Sequence, residues 1–278
     1  MMTASTAILP YVLLALAYLG LGWLAWHELS QATRHQPALG SGGWATQATL
    51  AALLVWHAAL LRQTVWIEGA INFSIANALS AVTWLMVVLL WAGNFWRRFV
   101  GVAALLLPVA AICSLLPPWD PHPHWLRYLD QPWAALHVAV ALAAFSLFAV
   151  AALQAVLLMS VEKRLHGRQS HTLDQSLPPL LTLERFLFRM IGVAFVLLTL
   201  TILSGVFFSE ELFQQPFRLS HKIVFTMLAW GLFAGLLYGR SRYGWRGRVA
   251  LRWILIGSAM LLVAYAGSKF VLEILLGR

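Results

Sequence analysis

Eight apolar runs divide this chain, with almost nothing charged inside them. Each is about 20 residues long, the length an α-helix needs to cross a hydrocarbon core. The alternation of a lipid-facing β-strand is absent, so the runs are helical: backbone donors and acceptors in lipid must be satisfied within the helix itself. Composition agrees. Charged residues make up 10% and hydrophobic residues 61%, whereas a soluble domain needs about 25% charged residues. The sequence therefore predicts an all-α, polytopic integral membrane protein with eight transmembrane helices, forming a single transmembrane domain over residues 1–278.

The predicted spans cover about 8–26, 44–61, 73–91, 99–116, 132–161, 185–208, 220–238 and 249–276. Pro10 is placed near the start of the first, where proline is tolerated. That span lacks a basic leader and a small-residue cleavage site, and is read as retained. Residues 62–72 form a short polar connection. Residues 117–124 carry four prolines and form a rigid loop. The fifth span exceeds what a bilayer needs and tilts or projects. No internal repeat is visible.

The formal charge of +9 does not indicate a nucleic-acid partner, because the basic residues lie between spans. They report topology instead. Most of the 19 Lys and Arg residues fall in or beside the loops after spans one, three, five and seven, which places those loops in the cytoplasm and both termini outside. The lone cysteine, Cys113, excludes an internal disulfide, a CxxC pair and a covalent haem-attachment motif.

Of nine histidines, His27, His35, His166 and His171 fall at inner helix ends or in inner loops, where solvation explains them. His122 and His124 lie in the proline-rich outer loop. His57, His137 and His221 lie in or at the edge of apolar helices at one expected depth near the outer face. One such imidazole reads as a hydrogen bond between helices; three at one depth read as a shared site. Zinc or copper needs further ligands that this depth lacks, whereas haem iron needs one or two axial side chains and an apolar slot. The alanines around His137 keep the fifth helix thin, for a flat macrocycle or for close packing. Lys222, Arg218 and Arg127 could pair with propionates or with lipid phosphates.

Four stretches carry a resemblance: Asn72-Phe73-Ser74-Ile75-Ala76-Asn77-Ala78-Leu79-Ser80, Leu136-His137-Val138, Phe188-Arg189-Met190-Ile191-Gly192 through Leu203-Ser204-Gly205, and Tyr243-Gly244-Trp245-Arg246-Gly247-Arg248. With them the chain resembles the cytochrome c assembly superfamily of haem-handling membrane proteins (the CcsA and CcmC type), most closely its YpjD/HemX-like branch. The resemblance implies an outer axial haem ligand at His137. It also implies a tryptophan-rich loop ending in Asp-Pro-Lys, where this chain has Pro216 to Lys222 and keeps only the lysine. The family's membrane-embedded histidine is Asn72 here, and its second outer histidine has no match near Gly267-Ser268-Lys269. The expectation is therefore non-covalent, b-type haem held by His137 and His221, with His57 the next candidate and Lys222 and Arg218 beside it. The resemblance further implies a non-enzymatic, multi-pass protein of the bacterial inner membrane, with lipid, haem and other membrane proteins as partners. The alternative is an accessory or regulatory protein without stable haem, serving tetrapyrrole synthesis or an ion transporter through its inner arginines.

Overall fold

The computed structural model describes residues 4–32, 43–67, 70–95, 100–119, 125–126, 132–165, 180–207 and 221–267. Eight helices long and apolar enough to cross a membrane are present among them, so the polytopic helical reading holds. They are α1 (Ala4–Ala32), α2 (Trp44–Val65), α3 (Ile75–Gly93), α4 (Val100–Ser114), α5 (Pro132–Leu165), α6 (Leu180–Phe207), α7 (His221–Tyr243) and α8 (Gly247–Leu262). The last runs into one π-helical turn, Val263–Gly267. The chain divides into two compact units, Met1–Trp125 with Ser160–Leu183, and Leu126–Met159 with Glu184–Arg278.

In the first unit α1 packs on α4. Gly22 makes this possible: a Cβ there would stand 3.0 Å from the Pro108 ring and 3.4 Å from Leu107. Lipid tails are as apolar as leucine, so such helix pairs are held by van der Waals fit and by hydrogen bonds rather than by release of water. On α3, Ala76, Ser80, Thr83, Val87 and Leu90 form a buried stripe with the three-and-four spacing of one helix face. Two indoles tie α3 to α2: Trp84 Nε1 donates to the Leu54 carbonyl at 2.9 Å and Trp91 Nε1 to the Gln47 carbonyl at 3.0 Å. Pro10 lies inside α1, which begins at Ala4, earlier than the apolar run suggests.

The connection between α2 and α3 is a small hairpin rather than plain loop. β1 (Trp66–Ile67) pairs antiparallel with β2 (Ala70–Asn72), Trp66 opposite Ile71. It leads into α3 through Ser74, whose hydroxyl accepts from the Asn77 backbone amide at 3.3 Å as an N-cap. Asn77 Nδ2 donates to the carbonyls of Thr64 at 3.1 Å and Asn72 at 3.0 Å. The Asn72-to-Ser80 stretch thus has a structural use, closing the corner between two spans.

In the second unit Leu187, Ile191, Ala194 and Leu198 form the buried face of α6, while Val193, Val196 and Leu200 are exposed on its other side. Phe148 of α5 stacks on Phe233 of α7, ring centroids 4.0 Å apart. The Phe233 ring fills the space over Gly257 of α8, where a Cβ would come within 2.7 Å of it. Trp230 Nε1 of α7 donates to Thr199 Oγ1 of α6 at 2.9 Å. Large apolar side chains such as Val55, Ile112 and Val196 remain more than half exposed, as lipid-facing positions should.

Candidate functional site

Pro132 starts α5 with its φ already helical and its missing donor harmless; five residues on comes His137. Its Nδ1 lies 2.7 Å from Ser204 Oγ, in the last turn of α6. The Ser204 hydroxyl also reaches the Thr201 carbonyl oxygen, at 3.1 Å. A hydroxyl has one hydrogen, which serves either Thr201 or His137; when it serves Thr201, Nδ1 carries the proton and the lone pair sits on Nε2. A side-chain hydrogen bond of this kind is what orients metal-ligating histidines.

Two further features lie around this ring. Gly205 stands against it, a Cβ there meeting His137 Cε1 at 3.4 Å. The Lys222 ammonium, at the start of α7, acts electrostatically on the imidazole and lies 5.8 Å from the centre of the Tyr265 ring, a cation–π distance. The start of α5, the end of α6, the start of α7 and the π-helical turn after α8 thus meet at one end of the second unit. Of the alanines around His137, Ala134 and Ala144 are buried while Ala135 and Ala139 are exposed, so part of that small-residue stripe serves packing.

His57 is placed differently. It is 1% exposed within the first unit. Tyr18 OH lies 3.2 Å from its Nδ1 and Ser80 Oγ 2.9 Å from its Nε2. With both nitrogens engaged, this imidazole joins α1, α2 and α3 and presents no lone pair to a ligand. His27 is exposed on α1 and stacks against Trp23. His221 opens α7, but its side chain lies outside the described residues, as do Arg218, Arg127, His35, His122, His124, His166 and His171. Among the described residues no group of three or more His, Cys, Asp or Glu side chains is arranged to hold a metal ion.

Sequence reasoning did not single out Ser204, Thr201 or Tyr265. Ser204 was within reach, because it sits in the Leu203-Ser204-Gly205 stretch that carries the resemblance. Its role depends on a ring 67 positions away in the chain.

Eight helices long and apolar enough to cross a membrane, with the His137 imidazole where several of them end, define a polytopic membrane protein. The profile of the cytochrome C assembly protein family matches residues 44–276, and the chain belongs to that family. It is 28% identical to the inner membrane protein YpjD of Escherichia coli, over 84% of this chain and 90% of that protein. An uncharacterised 28.8 kDa protein of Azospirillum brasilense is also 28% identical, over 86% of this chain and 84% of its own length. The cytochrome c biogenesis protein CcsA of Thermosynechococcus vestitus is more distant, 25% identical over 73% of this chain and 77% of its own. No solved structure matches.

Proposed function

We propose that this protein holds haem non-covalently in the bacterial inner membrane, with His137 as one axial ligand and His221 as the other. The supporting observation is the 2.7 Å hydrogen bond between His137 Nδ1 and Ser204 Oγ, a contact that orients the ring as the second hydrogen bond of a ligating histidine does. His221 is the chain neighbour of Lys222, whose charge reaches the His137 ring; this puts the two histidine-bearing helix starts at the same end of the second unit. Lys222 and Arg218 supply cations for the propionates. Haem would bring the iron chemistry, and the protein would orient it and set its redox poise. Membership of the assembly family and the likeness to CcsA support handling for cytochrome maturation, and the name of YpjD supports the inner-membrane location. His57 is not included, because its nitrogens serve the first unit. No step here breaks or forms a bond in a substrate, and the role is not that of an enzyme.

The test is an absorption spectrum of protein purified from haem-replete cells. A Soret band is expected in the wild type, lost in His137→Ala and in His221→Ala, and kept in His57→Leu. Absence of the band from wild type, or its survival in His137→Ala, would overturn the reading. A haem-free protein that co-purifies with a tetrapyrrole enzyme or an ion transporter would favour the accessory role instead.

A further inference from the structure

The opposite end of α7 holds a second cluster of charge that the histidine site does not use. Lys222 and Arg240 are 18 residues apart on one helix, so about 27 Å separates the two ends at 1.5 Å per residue, close to the thickness of a bilayer core. At this far end Arg240 Nη1 contacts Glu184 Oε1 of α6 at 2.8 Å and the Trp245 carbonyl at 3.0 Å. Its guanidinium lies 4.3 Å over the Phe188 ring. The Trp245 ring is in turn 5.2 Å from that of Trp253 on α8. Arg240 is thus used internally, and it gathers the ends of three helices.

Five other arginines stand on the same helix ends. Arg185 and Arg189 follow Glu184 and Phe188 on α6; Arg242, Arg246 and Arg252 flank the contacts made by α7, the corner and α8. All five are exposed. Glu184 is the only acidic residue among the described residues of this unit, and it is taken by Arg240. Four of the five stand within the membrane-crossing segments Leu183–Val206, Lys222–Tyr243 and Gly247–Tyr265, and Arg189 and Arg252 lie farthest from the segment ends. At about 1.5 Å per residue, Arg189 is about 9 Å in from Leu183 and Arg252 about 7.5 Å in from Gly247. An exposed guanidinium at that depth must rise towards the headgroups to find a counter-charge. Tyr238 and Tyr243, both more than 60% exposed with ring centres 6.2 Å apart, mark the same level as an interfacial aromatic belt.

We propose that this end of the unit is a binding site for anionic phospholipid headgroups, whose phosphates pair with Arg189 and Arg252 and with Arg185, Arg242 and Arg246. Guanidinium forks match phosphate oxygens bidentately, and among the described residues of this unit the one carboxylate, Glu184, is already paired with Arg240. The inference is independent of haem.

Native mass spectrometry of the full chain, exchanged from detergent into mixtures of phosphatidylglycerol and phosphatidylcholine, tests it. Wild type is expected to retain phosphatidylglycerol preferentially. Retention should weaken roughly five-fold for each arginine removed, so about 25-fold in Arg189→Gln/Arg252→Gln. Arg189→Lys/Arg252→Lys should keep much of the preference, since charge remains while the fork is lost. Circular dichroism with the Glu184–Arg240 pair intact controls for folding. Equal retention of the two lipids, or a preference unchanged in the glutamine variant, overturns the proposal. So does a lipid-indifferent wild type from which the glutamine variant loses a bound acidic protein, since that assigns these arginines to a protein partner.

Discussion

Two imidazoles of identical chemistry, His57 and His137, are given different tasks by what stands beside each nitrogen. His57 has a phenol on one side and a serine hydroxyl on the other, and its buried position offers no water to replace either. Replacing it with leucine strands Tyr18 OH and Ser80 Oγ, so His57→Leu should lower stability by about 1–3 kcal/mol, read as a fall in thermal unfolding temperature in detergent with an unchanged haem spectrum. His137 has its ring held by Ser204. Ser204→Ala should therefore weaken haem retention by roughly 10- to 100-fold, measured by haem loss to an apo-acceptor, while leaving the unfolding temperature close to wild type. The sequence carried the position of each histidine along its own helix. It could not carry their hydrogen-bond partners, because Tyr18 and Ser204 lie 39 and 67 positions from them.

At the scale of elements, hydropathy located every span because each must satisfy its own backbone across the hydrocarbon core. Pieces too short for a period escaped it: the hairpin at Trp66 and Ala70 has strands of two and three residues, and the π-helical turn at Val263–Gly267 is a single turn. The corner between α7 and α8 was visible as the Tyr243-to-Arg248 stretch, and its geometry explains the residues. Gly244 and Gly247 have φ of 66° and 61°, a region that costs other residues about 1–2 kcal/mol each. Gly239 leaves room for the Trp245 ring, which would lie 2.5 Å from a Cβ there. Gly239→Ala should displace that indole and destabilise the protein by about 1–3 kcal/mol, detectable as a red-shifted tryptophan emission and a lower unfolding temperature.

For the whole molecule, the distribution of charge remains the guide to orientation. If the arginine-rich corner is cytoplasmic, reporter fusions should be active as periplasmic markers at both termini and as cytoplasmic markers between α7 and α8; the reverse pattern would invert the molecule and put His137 on the cytoplasmic side. The two compact units bear on another question. The stretch shared with the cytochrome c assembly family begins at residue 44, yet α1, which precedes it, gives His57 its phenolic neighbour and gives Pro108 the glycine it rests on. A chain cut back to the recognisable homology would turn a satisfied imidazole and a smooth helix seam towards acyl chains. What can be transplanted or expressed as a working piece is thus larger than what ancestry alone makes visible, and its true edge is drawn by Tyr18 and Gly22.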